Sequence, residues 1–316
     1  MSATTSRKTK TAEEQVKLDR IFNFRRVDDH GHLYRSARQD AASPADIQHL
    51  HNLGIRTYLD LRTGIEYHNS LGHRKKPIDD HVQVLEPVLP NADVTPYPTT
   101  DSIPMKGINV KSLQLDGLPM TKPRRYLINM FPKPMILAVF NSVSLLRRLL
   151  SLVVLIVDVI LGNHYKYFVR CFSKEISSIG LVGRYVSILE HGGRQLCFIL
   201  HTLTDPENLP ALICCAHGKD RTGLVTAMVL TLLGKSDEYI AQDYARSEEG
   251  LRHIQESVRE ETSLKYNVDD SFAWAKKETM MEVLRILRER YGSVEDFLES
   301  RGFTKEDQKK LCHVLS

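Results

Sequence analysis

One short stretch of this sequence groups residues that can do chemistry together. It reads Leu209-Pro210-Ala211-Leu212-Ile213-Cys214-Cys215-Ala216-His217-Gly218-Lys219-Asp220-Arg221-Thr222-Gly223. Of the five cysteines, only Cys215 has an arginine six residues later. The apolar run ending at Cys215 reads as a strand. The run from Thr222 to Leu233, closed by Gly234, reads as a buried helix. A loop between a strand and a helix N-terminus curls so that successive amides point inward, and the helix dipole adds to the resulting anion nest. Ala216, His217, Gly218, Lys219, Asp220 and Arg221 are the expected lining. Gly218 permits the turn, and Arg221 forks two oxygens of the anion. The same donors favour a thiolate at Cys215, on the floor of the nest, and make it a nucleophile. Cys214 points the other way along the strand and reads as a small buried residue.

The elements that must hold this loop are legible upstream. Pro44 to Leu53 reads as a helix, with Ser43 as N-cap, Pro44 at the first position and Gly54 after its end. His32 to Arg35 is a short extended candidate, Ile55 to Leu61 is rich in β-formers, and Val82 to Leu89 reads as another strand. The β-α-β order predicts an α/β fold with a mostly parallel central sheet flanked by helices. Pro90 to Pro134 carries eight prolines and reads as one long irregular connection.

The chain has 316 residues, 42% hydrophobic and 26% charged, with a net charge of +4. That composition excludes wholesale disorder and collagen-like fibres, and the mild charge excludes a dedicated nucleic-acid binder. The cysteines show no CxxC spacing, so no zinc ribbon or disulfide scaffold is expected and a reducing, cytoplasmic setting fits. Residues 1–20 read as a flexible basic tail without a secretory signal.

Met135 to Leu161 is the most apolar part of the chain. At 100° per residue, Ser144, Ser151 and Asp158 fall within about 60° of Arg147 and form one narrow polar stripe. The expectation is a lid or core helix packed on the domain. The alternatives are a helix lying on a membrane or, last, a membrane span.

With these residues in hand, the chain resembles the cysteine-dependent phosphatases. More narrowly, it resembles the bacterial and fungal tyrosine/serine phosphatase family, whose signature is H-C-x-x-G-K-D-R-T-G. Asn23-Phe24-Arg25, Tyr34-Arg35-Ser36, Asp60-Leu61-Arg62, Asp243-Tyr244 with Ser247, and Tyr291-Gly292-Ser293-Val294 are similar to that family's other segments. The resemblance covers about 21–316 as one domain, with a variable insert at about 95–175 holding the apolar helix as a lid. Cys214 departs from the family's usual histidine before the nucleophile.

The resemblance implies a reaction without metal or other cofactor, on phosphorylated proteins or phosphoinositides. Cys215 attacks phosphorus, Arg221 and the loop amides hold the oxygens, and Thr222 donates to the departing sulfur. For the acid that protonates the leaving oxygen, Asp60 is the leading candidate and Asp220 the second; Asp93 and Asp205 stay open. Lys219, expected at the loop rim, favours substrates with more than one phosphate, an inositol lipid included. A phosphate-binding module without turnover is the non-enzymatic alternative.

Overall fold

The computed structural model describes residues 18–71, 74–87, 122–131 and 133–316. The basic tail up to residue 17, Asp93 and most of the proline-rich connection lie outside the described residues. Six strands form one sheet: β1 (Arg25–Arg26), β2 (Leu33–Ser36), β3 (Thr57–Asp60), β4 (Gln83–Leu85), β5 (Arg124–Leu127) and β6 (Ala211–Cys214). Their order is β1-β2-β6-β3-β5-β4, and only the β1–β2 pair is antiparallel.

Strand alternation divides the core in two. Leu33, Leu59, Ala211 and Ile213 point to the larger face, and Cys215 follows them. Tyr34, Tyr58, Leu212 and Cys214 point to the smaller face. The helix α1 (Pro44–Asn52) covers the smaller face through Leu50. Its N-terminus is the expected one: Ser43 accepts from the Asp46 amide, and Asp46 reaches back to the Ser43 amide.

A second capping box, Thr63 with Glu66, starts α2 (Gly64–Asn69). The chain continues through α3 (Lys133–Asn141), α4 (Leu145–Ile160), α5 (Lys166–Arg170), α6 (Ser173–His191) and α7 (Gly193–Leu203). After β6 come α8 (Asp220–Leu232), α9 (Asp237–Leu251), α10 (Gln255–Arg259), α11 (Lys277–Tyr291), α12 (Val294–Ser300) and α13 (Lys305–Leu315). The helix α8 lies on the larger face, with Leu224, Val225, Met228 and Val229 fully buried.

Two expectations change. The proline-rich connection contains β5, a central strand. Its Arg124-Arg125 start reads as polar, yet Arg125 is fully buried because its charge is paired inside the protein. The apolar stretch is two helices, broken at Ser142–Ser144, and it is not packed as a core helix: most large side chains of α4 are exposed. Among the described residues, no helix is long and apolar enough to cross a membrane.

The strand β6, which leads into Cys215, places side chains in both cores. Ile213→Ala should destabilise the protein by about 2–5 kcal/mol. A lowered urea midpoint with unchanged slope is the signature of that loss.

Candidate active site

Cys215 lies one residue beyond β6 and is 2% exposed. The loop after it is tied down through its carbonyls. The Arg38 amide donates to the Ala216 carbonyl at 3.2 Å. Asn23 Nδ2 donates to the carbonyls of His217 and Gly218 at 3.1 and 2.9 Å. Arg35 Nη2 adds a bond of 2.8 Å to Gly218. In a planar trans peptide the C=O and the following N–H point in opposite directions. Tying these carbonyls outward therefore turns the amides of His217, Gly218 and Lys219 toward the inside of the loop. No acceptor among the described residues takes the amides of Ala216 to Asp220.

The tying residues are themselves held. Arg25 Nε and Arg35 Nη1 share the Asp243 carboxylate at 2.8 and 2.5 Å. Burial raises the Asp243 pKa, but Arg35 and Arg25 outweigh it and bring it down to about 2. Gly218 has φ +63°, and a Cβ there would stand 2.2 Å from the Ser36 carbonyl oxygen. Only glycine lets the loop approach the end of β2 this closely.

Arg221 is oriented by a residue the sequence reading passed over. Its Nη1 and Nη2 fork the Glu66 carboxylate at 2.8 and 2.9 Å, and Nη1 also donates to the Leu61 carbonyl at 3.0 Å. The Nε–H and the second Nη2–H meet no acceptor among the described residues. They share one edge of the guanidinium, spaced for two oxygens of a tetrahedral anion. Burial works against the Arg221 charge, but Glu66 and then Cys215 outweigh it and hold the guanidinium protonated. The signal for Glu66 was its place three residues after Thr63, the spacing of a capping box.

The remaining loop residues divide. Asp220, the first residue of α8, has a side chain 25% exposed, unlike the fully buried Asp60. Its carboxylate accepts from the Tyr185 hydroxyl and from Lys219 Nζ. Burial raises its pKa; the Lys219 charge and these hydrogen bonds prevail and hold it below the usual range. Lys219 is not at the rim. It is 1% exposed, and its ammonium donates to the carbonyls of Phe272 and Trp274 at 2.9 Å each. His217 pairs with Glu261 at 3.1 Å. Thr222 is fully buried, and its hydroxyl has no partner among the described residues.

Asp60 is unsuited to donating a proton. By register it is paired with Cys214, so it shares that residue's face and points away from Cys215. Arg62 and Arg125 grip its carboxylate at 2.7 and 2.8 Å. Burial raises its pKa, but the two arginines bring it down to about 2. Cys214 is the small buried residue expected; burial and then Asp60 push its thiol far up, so it stays protonated. Asp205 is exposed and precedes β6, at the other end of the strand from Cys215.

A family model described as the tyrosine phosphatase family matches residues 16–135 and 170–316, which leaves 136–169 between its two segments. Among curated proteins, the triple specificity protein phosphatase PtpB of Mycobacterium tuberculosis is 28% identical over 120 residues. That match covers 34% of this chain and 44% of the relative, so the chain spans less than half of that protein's length.

The geometry sets two outcomes. Glu66→Gln keeps the cap but weakens the grip on Arg221, so affinity for inorganic phosphate, followed by titration, should fall about tenfold. The stability Asp60 supplies is complete above pH ~4, its unfolded pKa, and is lost as pH falls through the folded value of about 2. Asp60→Ala takes from buried Arg125 its carboxylate partner and leaves Arg62 with Asp40 alone, and should cost about 3–5 kcal/mol at pH 7. Its unfolding midpoint should also fall less between pH 5 and pH 2.5 than that of the native chain.

Proposed function

The chain belongs to the tyrosine phosphatase family, and we propose that it hydrolyses phosphotyrosine in proteins, with phosphoserine and phosphothreonine as further substrates, through a phosphocysteine intermediate. The observation that carries this reading is the outward tying of the Ala216, His217 and Gly218 carbonyls, which leaves amides and the free Arg221 edge for phosphate oxygens above Cys215. The name of the mycobacterial relative, a triple specificity protein phosphatase, supports a range wider than tyrosine.

The Cys215 sulfur attacks phosphorus in line, so that an S–P bond forms as the ester O–P bond breaks. The loop amides and Arg221 hold the equatorial oxygens as charge spreads over them. Asp220 gives its proton to the departing oxygen. An incoming phosphate dianion raises the Asp220 pKa by like-charge repulsion, which supplies the protonated form when it is needed. In the second step Asp220, now ionised, takes a proton from water as that water displaces the sulfur. The Thr222 hydroxyl, without a partner among the described residues, donates to the leaving thiolate.

A phosphoinositide substrate is the second reading, favoured by the exposed apolar helix α4. It draws no support from Lys219, whose charge is already taken by Asp220 and two carbonyls.

Phosphate release from phosphotyrosine and phosphoserine peptides and from inositol lipids tests the assignment. Cys215→Ser should bind a phosphotyrosine peptide without turning it over. Asp220→Asn should lower turnover by about 10²–10⁴-fold on phosphoserine, whose leaving oxygen needs the proton, and less on an aryl phosphate. Because the acid must be protonated, native activity should decline as pH rises, and Asp220→Asn should flatten that limb. Phosphate binding by the native chain without any turnover would make it a binding module.

A further inference from the structure

The helix α4 is turned inside out. On a helical wheel with Leu145 at zero, its exposed aliphatics run from Val159 through Leu145, Ile156 and Val153 to Leu150, an arc of about 180°. They are 42–74% exposed. The polar stripe faces the protein instead. Ser151 is 0% and Asp158 1% exposed, and Asp158 Oδ2 accepts from the Phe168 amide at 2.8 Å. Arg147 pairs with Glu175 of α6 at 2.5 Å. Water favours the opposite orientation, so the outer face suits a non-aqueous surrounding.

We propose that α4 docks this protein on an anionic lipid surface, lying in the interface with its apolar arc among the acyl chains. Charge complementarity selects this occupant. Between residues 135 and 175 there are five lysines and arginines and two acids, the inward-facing Asp158 and Glu175, which is paired with Arg147. Arg147 and Arg148 border the apolar arc on its two sides; Arg147 is held there by Glu175 and Arg148 by the carbonyls of Val143 and Asn141, which keeps positive charge at the edge of the arc, at headgroup level. Just beyond the helix, Tyr165 and Tyr167 are 39% and 45% exposed. Lys166 and Arg170 lie over the Tyr167 ring at 5.3 and 5.5 Å. Exposed aromatic rings among cations are the composition of a membrane interface. A second copy seated on the same face would bring this cationic border against itself, since a twofold interface pairs a patch with its own image. The helix has 16 residues, about 24 Å at 1.5 Å per residue, too short for a ~30 Å hydrocarbon core. It therefore lies on the membrane and does not span it. The segment left unmatched by the family model, 136–169, contains the whole helix, so docking is an addition to the phosphatase domain and does not depend on which substrate the site takes.

Flotation of the full chain with unilamellar vesicles tests this. One set is phosphatidylcholine with 30% phosphatidylserine, the other phosphatidylcholine alone, each at 50 and 500 mM salt. The expected result is recovery with the anionic vesicles at low salt, at least fivefold above the neutral set. Leu149→Gln/Val153→Gln/Ile156→Gln should reduce that recovery at least tenfold with an unchanged melting temperature. Recovery in the soluble fraction with both vesicle sets overturns the proposal, as does flotation of the triple variant equal to the native chain. A native dimer that the triple variant converts to a monomer assigns the face to a second copy. A melting temperature lowered by more than about 5 °C assigns it to another part of this chain.

Discussion

A chain that passes from a buried strand into a buried helix within five residues leaves its peptide groups without ladder partners, and each must be satisfied or aimed at something. Here the carbonyls of Ala216, His217 and Gly218 are satisfied from outside by Arg38, Asn23 and Arg35. Planarity of the peptide then decides where the amides go. The positions of Arg25, Asp243 and the end of β2 follow from this: Asp243 anchors the two arginines, and Gly218 lets the loop lie against Ser36. The loop is built by holding its back.

The same logic extends through three carboxylates, two of them buried and Glu66 half-buried. Asp60 between Arg62 and Arg125, Asp243 between Arg25 and Arg35, and Glu66 against Arg221 each place a carboxylate where a guanidinium has to be fixed. Buried pairs of this kind add little net stability compared with apolar packing, but breaking one is costly. They fix geometry. The Asp60 pair sits on the Cys214 side of the sheet, and the Glu66 pair sits on the Cys215 side, so a held arginine stands on each side.

Much of this was legible in the sequence, because the loop, the Ser43 N-cap of α1 and the buried helix α8 are local patterns. What escaped depends on long-range partners. The strand β5 was hidden because Arg124 and Arg125 read as solvent-facing until Asp60 is known to meet Arg125. The face on which Asp60 lies is decided by register with Cys214, which periodicity alone does not supply, so its unfitness as a proton donor is invisible in the sequence. The buried place of Lys219 depends on carbonyls more than fifty residues away. The wheel of α4 located the polar stripe correctly but could not say which side faced the protein, and the usual rule of polar outward gave the reverse answer.

The fork between Glu66 and Arg221 has a thermodynamic consequence. A free arginine side chain gives up about 2 kcal/mol of rotamer freedom when it is fixed in one orientation. Glu66 and the Leu61 carbonyl fix Arg221 before any anion arrives. That entropy is lost when the chain folds, not when ligand binds, and the anion meets a guanidinium edge already in place. Binding at this arginine should carry the enthalpy of two charge-assisted hydrogen bonds with little ordering of the protein to offset it.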